Sequence, residues 1–228
     1  MKILADLLAR QGGRFAAELG IDVKAGAAAR QQWFLAAILY GARISGELAA
    51  RTYRVFAARG LYTPEAIMAQ GWDHLVVLLD EGGYTRYDFK TATKLLKVME
   101  SLQEQYGGSL ERLHEVAAAT DDLEGRLRSL APGLGATTAT IFLRELRGVW
   151  AKADPPLSPL AQAAAVELAL LPAGLSPREA LQTLKQHWQA QPVPGWDFAD
   201  LEAALVRRGR DLRRRRQLSL PGRDKARL

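Results

Sequence analysis

The sequence predicts an all-α protein. Apolar residues recur at three- and four-residue spacing along almost the whole chain, and the strict alternation typical of half-buried strands is rare. Ser-Pro pairs begin at Ser158 and Ser176, and each marks a helix start, because serine caps a helix N-terminus and proline fits its first position. Glycines follow many of the periodic segments, where helices commonly end. Together these features predict about ten to twelve short helices.

In the first half of the chain, the predicted helices are separated by glycines or polar turns. They span residues 2–19, 28–41, 45–59, 63–70, 72–80 and 86–106. Ser45 is suited to cap the third of these helices, and Gly60 to end it. The glycine pair at 82–83 precedes the long helix as a turn, and a second pair at 107–108 closes it.

The second half continues the pattern, with prolines as additional boundaries. Its predicted helices span residues 110–120, 122–130, 137–150, 158–171 and 176–189, with a last one starting after Asp197. The proline-rich stretch 191–195 is predicted to be a linker, and residues 217–228 a disordered basic tail. Four aromatic residues on apolar faces are predicted to lie in the core. These are Trp33, Phe34, Trp72 and Trp150.

Composition excludes several classes of site. The chain has no cysteine, so it has no disulfide, no thiolate zinc site and no cysteine-ligated iron–sulfur cluster. Its histidines are only His74, His114 and His187, far apart in sequence, so we expect no metal and no cofactor. Mean hydropathy is -0.11 and no apolar run approaches the ~20 residues of a membrane span. We therefore expect a cytoplasmic protein without a membrane partner.

The charge balance favours a polyanionic partner. The formal net charge is +6 and the isoelectric point is near 9.7. Seven arginines lie between residues 207 and 216, with one acidic residue among them. Such a cluster is predicted to meet phosphate without regard to nucleotide sequence.

One segment suggests a specific chemistry. Gly133 and Gly135 lie one residue apart between two predicted helices, in a tight turn. The backbone N–H groups of the glycines and of Ala136 and Thr137 are then free to hold a phosphate, since the first amides of a helix have no internal partner. The hydroxyl of Thr137 or Thr138 can add a hydrogen bond.

This segment resembles the hairpin of the helix-hairpin-helix DNA glycosylases, the superfamily that includes endonuclease III. The resemblance covers roughly residues 30–170. Residues 38–43 (Ile-Leu-Tyr-Gly-Ala-Arg) match the place where a buried helix of the family ends in a polar stretch facing DNA. Residues 83–92 are similar to its Gly-aromatic turn and Lys-Ala helix, and Tyr-Gly-Gly at 106–108 resembles the motif before its next helix.

The resemblance implies a two-lobed helical glycosylase fold with a helix-hairpin-helix motif. A helical barrel domain is expected at 25–150, with the motif near 122–149. Residues 1–24 and 151–216 are expected to form the second lobe. The implied partner is double-stranded DNA, bound by a monomer, which in a bacterium would be associated with the nucleoid.

The implied activity is that of a monofunctional DNA-repair glycosylase. Such an enzyme flips a damaged or mismatched base out of the duplex and hydrolyses its N-glycosidic bond. Bifunctional members carry a nucleophilic lysine shortly after the second hairpin glycine. Here Thr137 stands at that position, so no lysine-based lyase is expected there. The alternative is a non-catalytic DNA-binding protein on the same scaffold.

The family also requires a catalytic carboxylate. Asp154 lies at about the expected distance after Thr137, whereas helix register places Ser158 at the family's aspartate position. Asp88 is the spare candidate. At the helix end, Ala42 or Arg43 stands where the family often places a glutamine that fills the space of the extruded base. Further DNA contacts are expected from Tyr84 and Arg86, in the Gly-aromatic turn.

Overall fold

The structure, a computed structural model, describes residues 2–219. In this range the secondary structure consists of twelve α-helices and one 3-10 turn, so the predicted all-α class is confirmed. The helices are α1 (Lys2–Gln11), α2 (Ala27–Tyr40), α3 (Gly46–Ala57), α4 (Pro64–Met68), α5 (Gly71–Glu81), α6 (Asp88–Tyr106), α7 (Leu110–Val116), α8 (Thr120–Ser129), α9 (Ala136–Glu145), α10 (Pro159–Glu167), α11 (Pro177–Ala190) and α12 (Phe198–Ser219).

The chain divides into two compact units. The central unit is continuous and comprises residues 15–155, and it contains the expected domain at 25–150. The terminal unit combines the residues before it, up to Arg14, with those from Pro156 onward. Within the expected tail at 217–228, the first three residues belong to α12, and the others lie outside the described residues.

The core of the central unit is built around α2. All side chains from 33 to 39 are buried, as expected for a helix that is apolar on every side. The helix packs against α3, α7 and α9. Trp33 donates a hydrogen bond from Nε1 to the carbonyl of Phe142 on α9 at 3.2 Å, and the rings of Phe34 and Phe142 meet edge to face at 5.0 Å. These contacts tie α9 to the buried helix.

The terminal unit is organised by α12, which packs against α1 and α10. Residues 201–206 of α12 are buried. Arg207 donates from Nη1 to the carbonyls of Gln11 and Gly13, at 2.7 Å each, and Arg208 forms an ion pair with Glu167 at 2.6 Å. The first two arginines of the cluster therefore stabilise this unit, contrary to the expectation that the whole cluster meets phosphate.

The end of α2 lies against the start of α9. Gly41 caps α2, and its amide donates to the carbonyl of Ala37 at 3.0 Å. A Cβ atom added to Gly41 would lie 3.0 Å from the Cβ of Thr138 and closer still to the Thr138 hydroxyl oxygen. Because Thr138 is itself buried, it has no room to move away. Only glycine permits this approach of the two helices.

We expect Gly41→Ala to lower the free energy of unfolding by about 1–3 kcal/mol, since overpacking a tight contact forces backbone and side-chain shifts. Urea denaturation monitored by circular dichroism measures the change. Gly125→Ala is the matched control, because a Cβ added at Gly125 in α8 meets nothing within 4 Å. That substitution should leave stability unchanged or raise it by up to about 1 kcal/mol. Equal stability of Gly41→Ala and the wild type would contradict the tight contact.

Candidate nucleic-acid interface

The hairpin between α8 and α9 is a compact turn anchored by a buried side chain. Gly133 has φ +85°, in the left-handed region that glycine occupies without strain. The amide of Leu134 donates to the carbonyl of Ala131 at 3.1 Å, which closes the turn. Leu134 is only 3% exposed, while Gly133 and Gly135 on either side are exposed. The buried leucine thus presents both glycines at the surface.

The N-terminus of α9 carries amides without internal partners. Gly135 is the N-cap and has no side chain to cap the helix. The first intrahelical hydrogen bond runs from the amide of Ala139 to the carbonyl of Gly135 at 3.2 Å. The amides of the exposed residues Ala136 and Thr137 precede it, and they find no acceptor within residues 2–219. Thr138 differs from expectation, because its side chain is buried against Gly41.

The turn before α6 is held by hydrogen bonds to α3 and to α2. Arg51 of α3 donates from Nε to the carbonyl of Gly82 at 2.7 Å. Tyr84 is 1% exposed, and its hydroxyl donates to the carbonyl of Leu39 in α2 at 3.0 Å. Burial raises the pKa of Tyr84 to about 12. Tyr84 therefore anchors the turn in the core and does not face solvent, contrary to its expected role as a DNA contact.

Three segments that carried the family resemblance meet in one open cleft of about 590 Å³. They are the residues after α2, the start of α6 and the hairpin. The lining residues are Gly41, Ala42, Arg43, Tyr87, Phe89, Lys90, Thr91, Thr93, Lys94, Pro132 and Gly133. The close approach of Gly41 and Thr138 accounts for this meeting, because it sets the hairpin beside the end of α2.

The cleft is electropositive. Arg43, Lys90 and Lys94 line it, and its lining includes no aspartate or glutamate. Within the described part of the chain, none of the three cations forms an ion pair or a hydrogen bond with another side chain or the backbone. Lys94 is half-buried beside the hairpin, with its Cδ 3.9 Å from where a Cβ on Gly133 would lie. Burial lowers the pKa of Lys94, because it removes water from the charged ammonium group.

The rim of the cleft carries exposed aromatic rings. Phe89 is 58% exposed and Trp72 is 39% exposed, with ring centroids 5.3 Å apart. Trp72 was expected in the core. Its position at the first turn of α5 instead places the indole at the surface, where Nε1 donates to the Thr93 hydroxyl at 3.0 Å. The guanidinium of the exposed residue Arg86 lies 5.6 Å from the centre of the Tyr87 ring.

Asp154 is held by an arginine outside the cleft lining. Arg147 donates from Nη1 to the Asp154 carboxylate and from Nη2 to the carbonyl of Pro155. The Arg147 side chain is 4% exposed and that of Asp154 is 27% exposed. Asp154 thus has a fixed position and an ionic partner.

Ser158, the alternative to Asp154, precedes α10 in the terminal unit. Its hydroxyl caps the helix by accepting from the amide of Ala161 at 3.3 Å.

The spare candidate Asp88 is the first residue of α6. Its carboxylate accepts from the amide of Phe89 at 2.8 Å. Asp88 also lies near Asp80 of α5. The pKa of Asp80 is raised by partial loss of hydration and by the neighbouring Asp88 carboxylate. Asp88 is not among the residues that line the cleft. Its contacts are those of an acidic residue in the first turn of a helix, where negative charge is favourable.

The contribution of α6 to the cleft was missed in the sequence. Phe89 and Thr93 are four residues apart, as are Lys90 and Lys94, so each pair lies on one side of the helix. The signal was a phenylalanine directly followed by a lysine in the first turn of the helix, with a second lysine one turn later. Periodicity alone does not distinguish such a residue from a core residue.

Comparison with protein-family models found no match, and comparison with curated proteins found none either. Residues 2–219 contain no group of three or more histidine, aspartate or glutamate side chains placed to hold a metal ion. In the same range, no helix is both long and apolar enough to cross a membrane.

We expect Arg147→Met to lower the free energy of unfolding by about 2–3 kcal/mol. The substitution removes the guanidinium that donates hydrogen bonds to the Asp154 carboxylate and to the Pro155 carbonyl. Urea denaturation provides the measurement. Arg128→Met is the control, since the Arg128 side chain is 52% exposed and lies 3.8 Å from Glu124. That exposed pair should contribute less than about 0.5 kcal/mol. Similar small losses in both variants would show that the Arg147 contacts are not stabilising.

Proposed function

We propose that this chain is a monofunctional DNA-repair glycosylase with the two-lobed helix-hairpin-helix fold, and that it binds double-stranded DNA at the cleft of the central unit. The observation that carries the proposal is the set of three cations, without an ionic partner within residues 2–219, that line one cleft together with Gly133 of the hairpin, close in sequence to the free amides of α9. Phosphate is the ligand that suits both groups, because amides at a helix N-terminus and unpaired ammonium groups each favour an anion.

The proposed DNA contacts are mostly to the backbone. In the proposed complex the amides of Ala136 and Thr137 hold one phosphate of a strand, and Lys94, which lies next to Gly133, contacts the same strand. Lys90 and Arg43 extend the positive surface along the cleft. Such contacts position a duplex without reading its sequence. Arg43, exposed at the end of α2, is the side chain best placed to enter the space left by an extruded base.

The proposed chemistry is hydrolysis of the N-glycosidic bond. Positive charge develops on the sugar as the bond breaks, and a fixed carboxylate stabilises that charge and orients water. Asp154 is the proposed carboxylate, and Arg147 holds it in place. Thr137 supplies no amine, so the proposed reaction releases the base and leaves the DNA strand intact.

A second candidate is a non-catalytic DNA-binding protein. Two observations favour it. The Arg147 guanidinium already balances the charge of Asp154, and no carboxylate lines the cleft. Both candidates share the same binding surface, and they differ only in whether a base is released.

We expect Lys94→Gln to weaken duplex binding by about tenfold and to reduce the salt dependence by about one counterion, because one phosphate contact is lost. Fluorescence anisotropy at several salt concentrations measures both quantities. Lys97→Gln, on the same helix but paired with Glu100 at 3.7 Å, is the control and should change little. Binding that is insensitive to salt, or equal losses in the two variants, would contradict the proposed interface.

The affinity should also depend on pH. Burial lowers the pKa of Lys94 in the free protein, and a bound phosphate favours the charged form. At a pH above the pKa of Lys94 in the free protein, DNA binding is therefore coupled to protonation of Lys94. The affinity for duplex DNA falls as the pH rises through that pKa. Lys94→Arg stays charged throughout and should lose this part of the pH dependence.

The proposed activity is tested with duplexes carrying uracil, mismatched thymine, oxidised guanine, alkylated adenine or an abasic site. We expect strand cleavage at one of the base lesions only after heating in alkali. Asp154→Asn should lower that rate by at least about 100-fold while binding is retained. Asp88→Asn is the matched control and should keep full activity. Duplex binding with no base release from any substrate would favour the non-catalytic candidate, and full activity of Asp154→Asn would contradict the role of Asp154.

A further inference from the structure

Two partly exposed aromatic rings lie at the cleft, since Phe89 lines it and Trp72 contacts Phe89. Phe89 is 58% exposed and Trp72 is 39% exposed. The rings are in contact, with centroids 5.3 Å apart and planes inclined by 41°. They belong to different helices, α6 and α5, so their meeting at the surface does not follow from the periodicity of one helix. Large aromatic groups exposed together commonly mark a binding site.

The pair is held in a defined geometry. Trp72 donates from Nε1 to the Thr93 hydroxyl at 3.0 Å, and that hydroxyl donates to the carbonyl of Phe89 at 2.9 Å. The indole N–H is thereby satisfied by protein, and the indole is kept beside the Phe89 ring. A partner that stacks on this pair meets preorganised rings, so little side-chain entropy is lost on binding.

The surroundings of the pair favour a nucleotide. Phe89 and Thr93 line the same cleft as Lys90 and Lys94. An aromatic platform beside unpaired cations matches a ligand that combines a flat π-face with a phosphate, which is the combination in a nucleic acid strand. An apolar protein segment would use the rings but would leave the adjacent positive charges without partners.

We propose that Phe89 and Trp72 form a stacking site for one unpaired nucleobase of a DNA strand held in the cleft. This inference rests on the proposed DNA binding and adds a preference to it. Bases inside an intact duplex have both faces covered by their neighbours, so they cannot occupy the site. The site therefore makes the protein prefer DNA in which a base is already unstacked over fully paired DNA.

The test compares two duplexes of the same sequence, one fully paired and one with a single-base bulge. Dissociation constants are measured by fluorescence anisotropy at fixed salt. We expect the wild type to bind the bulged duplex more tightly, and Phe89→Ala to weaken binding of the bulged duplex by about tenfold while the paired duplex is unaffected. Phe89→Tyr, which keeps a ring, should restore the preference.

Val77→Ala is the control for loss of an exposed apolar side chain, because Val77 of α5 is also 58% exposed. It should leave binding of both duplexes unchanged. Thermal unfolding should confirm that Phe89→Ala folds like the wild type, as expected for a substitution at an exposed position.

The outcomes separate the inference from the proposed function. Salt-dependent binding of both duplexes, with no selective loss in Phe89→Ala, would overturn the stacking site and leave the DNA-binding proposal standing. Equal loss on both duplexes would also overturn it, since the ring would then contact DNA without selecting an unpaired base. A wild type that binds neither duplex would overturn both proposals.

Discussion

The contact between Gly41 and Thr138 is the constraint on which the geometry of the central unit depends. It joins the end of the buried helix α2 to the start of α9, with no space for a single additional carbon atom. Because the hairpin directly precedes α9, the contact also places the hairpin beside the residues that follow α2. The start of α6 is the third segment of the cleft. Tyr84 ties the turn before it to α2 by a hydrogen bond to the α2 backbone. The cleft is thus a consequence of packing around one helix.

Charge is distributed unevenly around this scaffold. Arg147, buried in the central unit, is neutralised by Asp154, and Arg207 and Arg208 of the terminal unit are held by carbonyls and by Glu167. The cations of the cleft have no such partners. Leaving Lys94 half-buried and unpaired costs free energy, because an ammonium group loses hydration there without gaining an opposite charge. In the proposed complex a DNA phosphate supplies that charge, so the feature that destabilises the free protein would favour the complex.

The sequence was sufficient for the helix starts and for part of the site, whereas the helices predicted at 2–19, 137–150 and 158–171 end earlier, at Gln11, Glu145 and Glu167. Helix starts at Ser45, Ser158 and Ser176 carry side-chain caps as predicted, because capping depends on a few adjacent residues. The exposed glycines of the hairpin followed from the same local logic. The environments of Tyr84 and Trp72 could not be predicted, since each depends on a partner distant in sequence, Leu39 and Thr93 respectively. Likewise, nothing local indicates that Asp154 is paired with Arg147.

The anchoring of α1 by Arg207 has a consequence for the order of folding during synthesis. The carbonyls of Gln11 and Gly13 receive their partner from a residue 196 and 194 positions later, respectively. At ribosomal rates, those positions take about 10–40 s to appear. The central unit is continuous in sequence and can close within that interval, whereas the apolar face of α1 must wait for α12. Until then, Leu4, Leu7 and Leu8, the buried side chains of α1, lack the helix against which they pack and stay exposed to water.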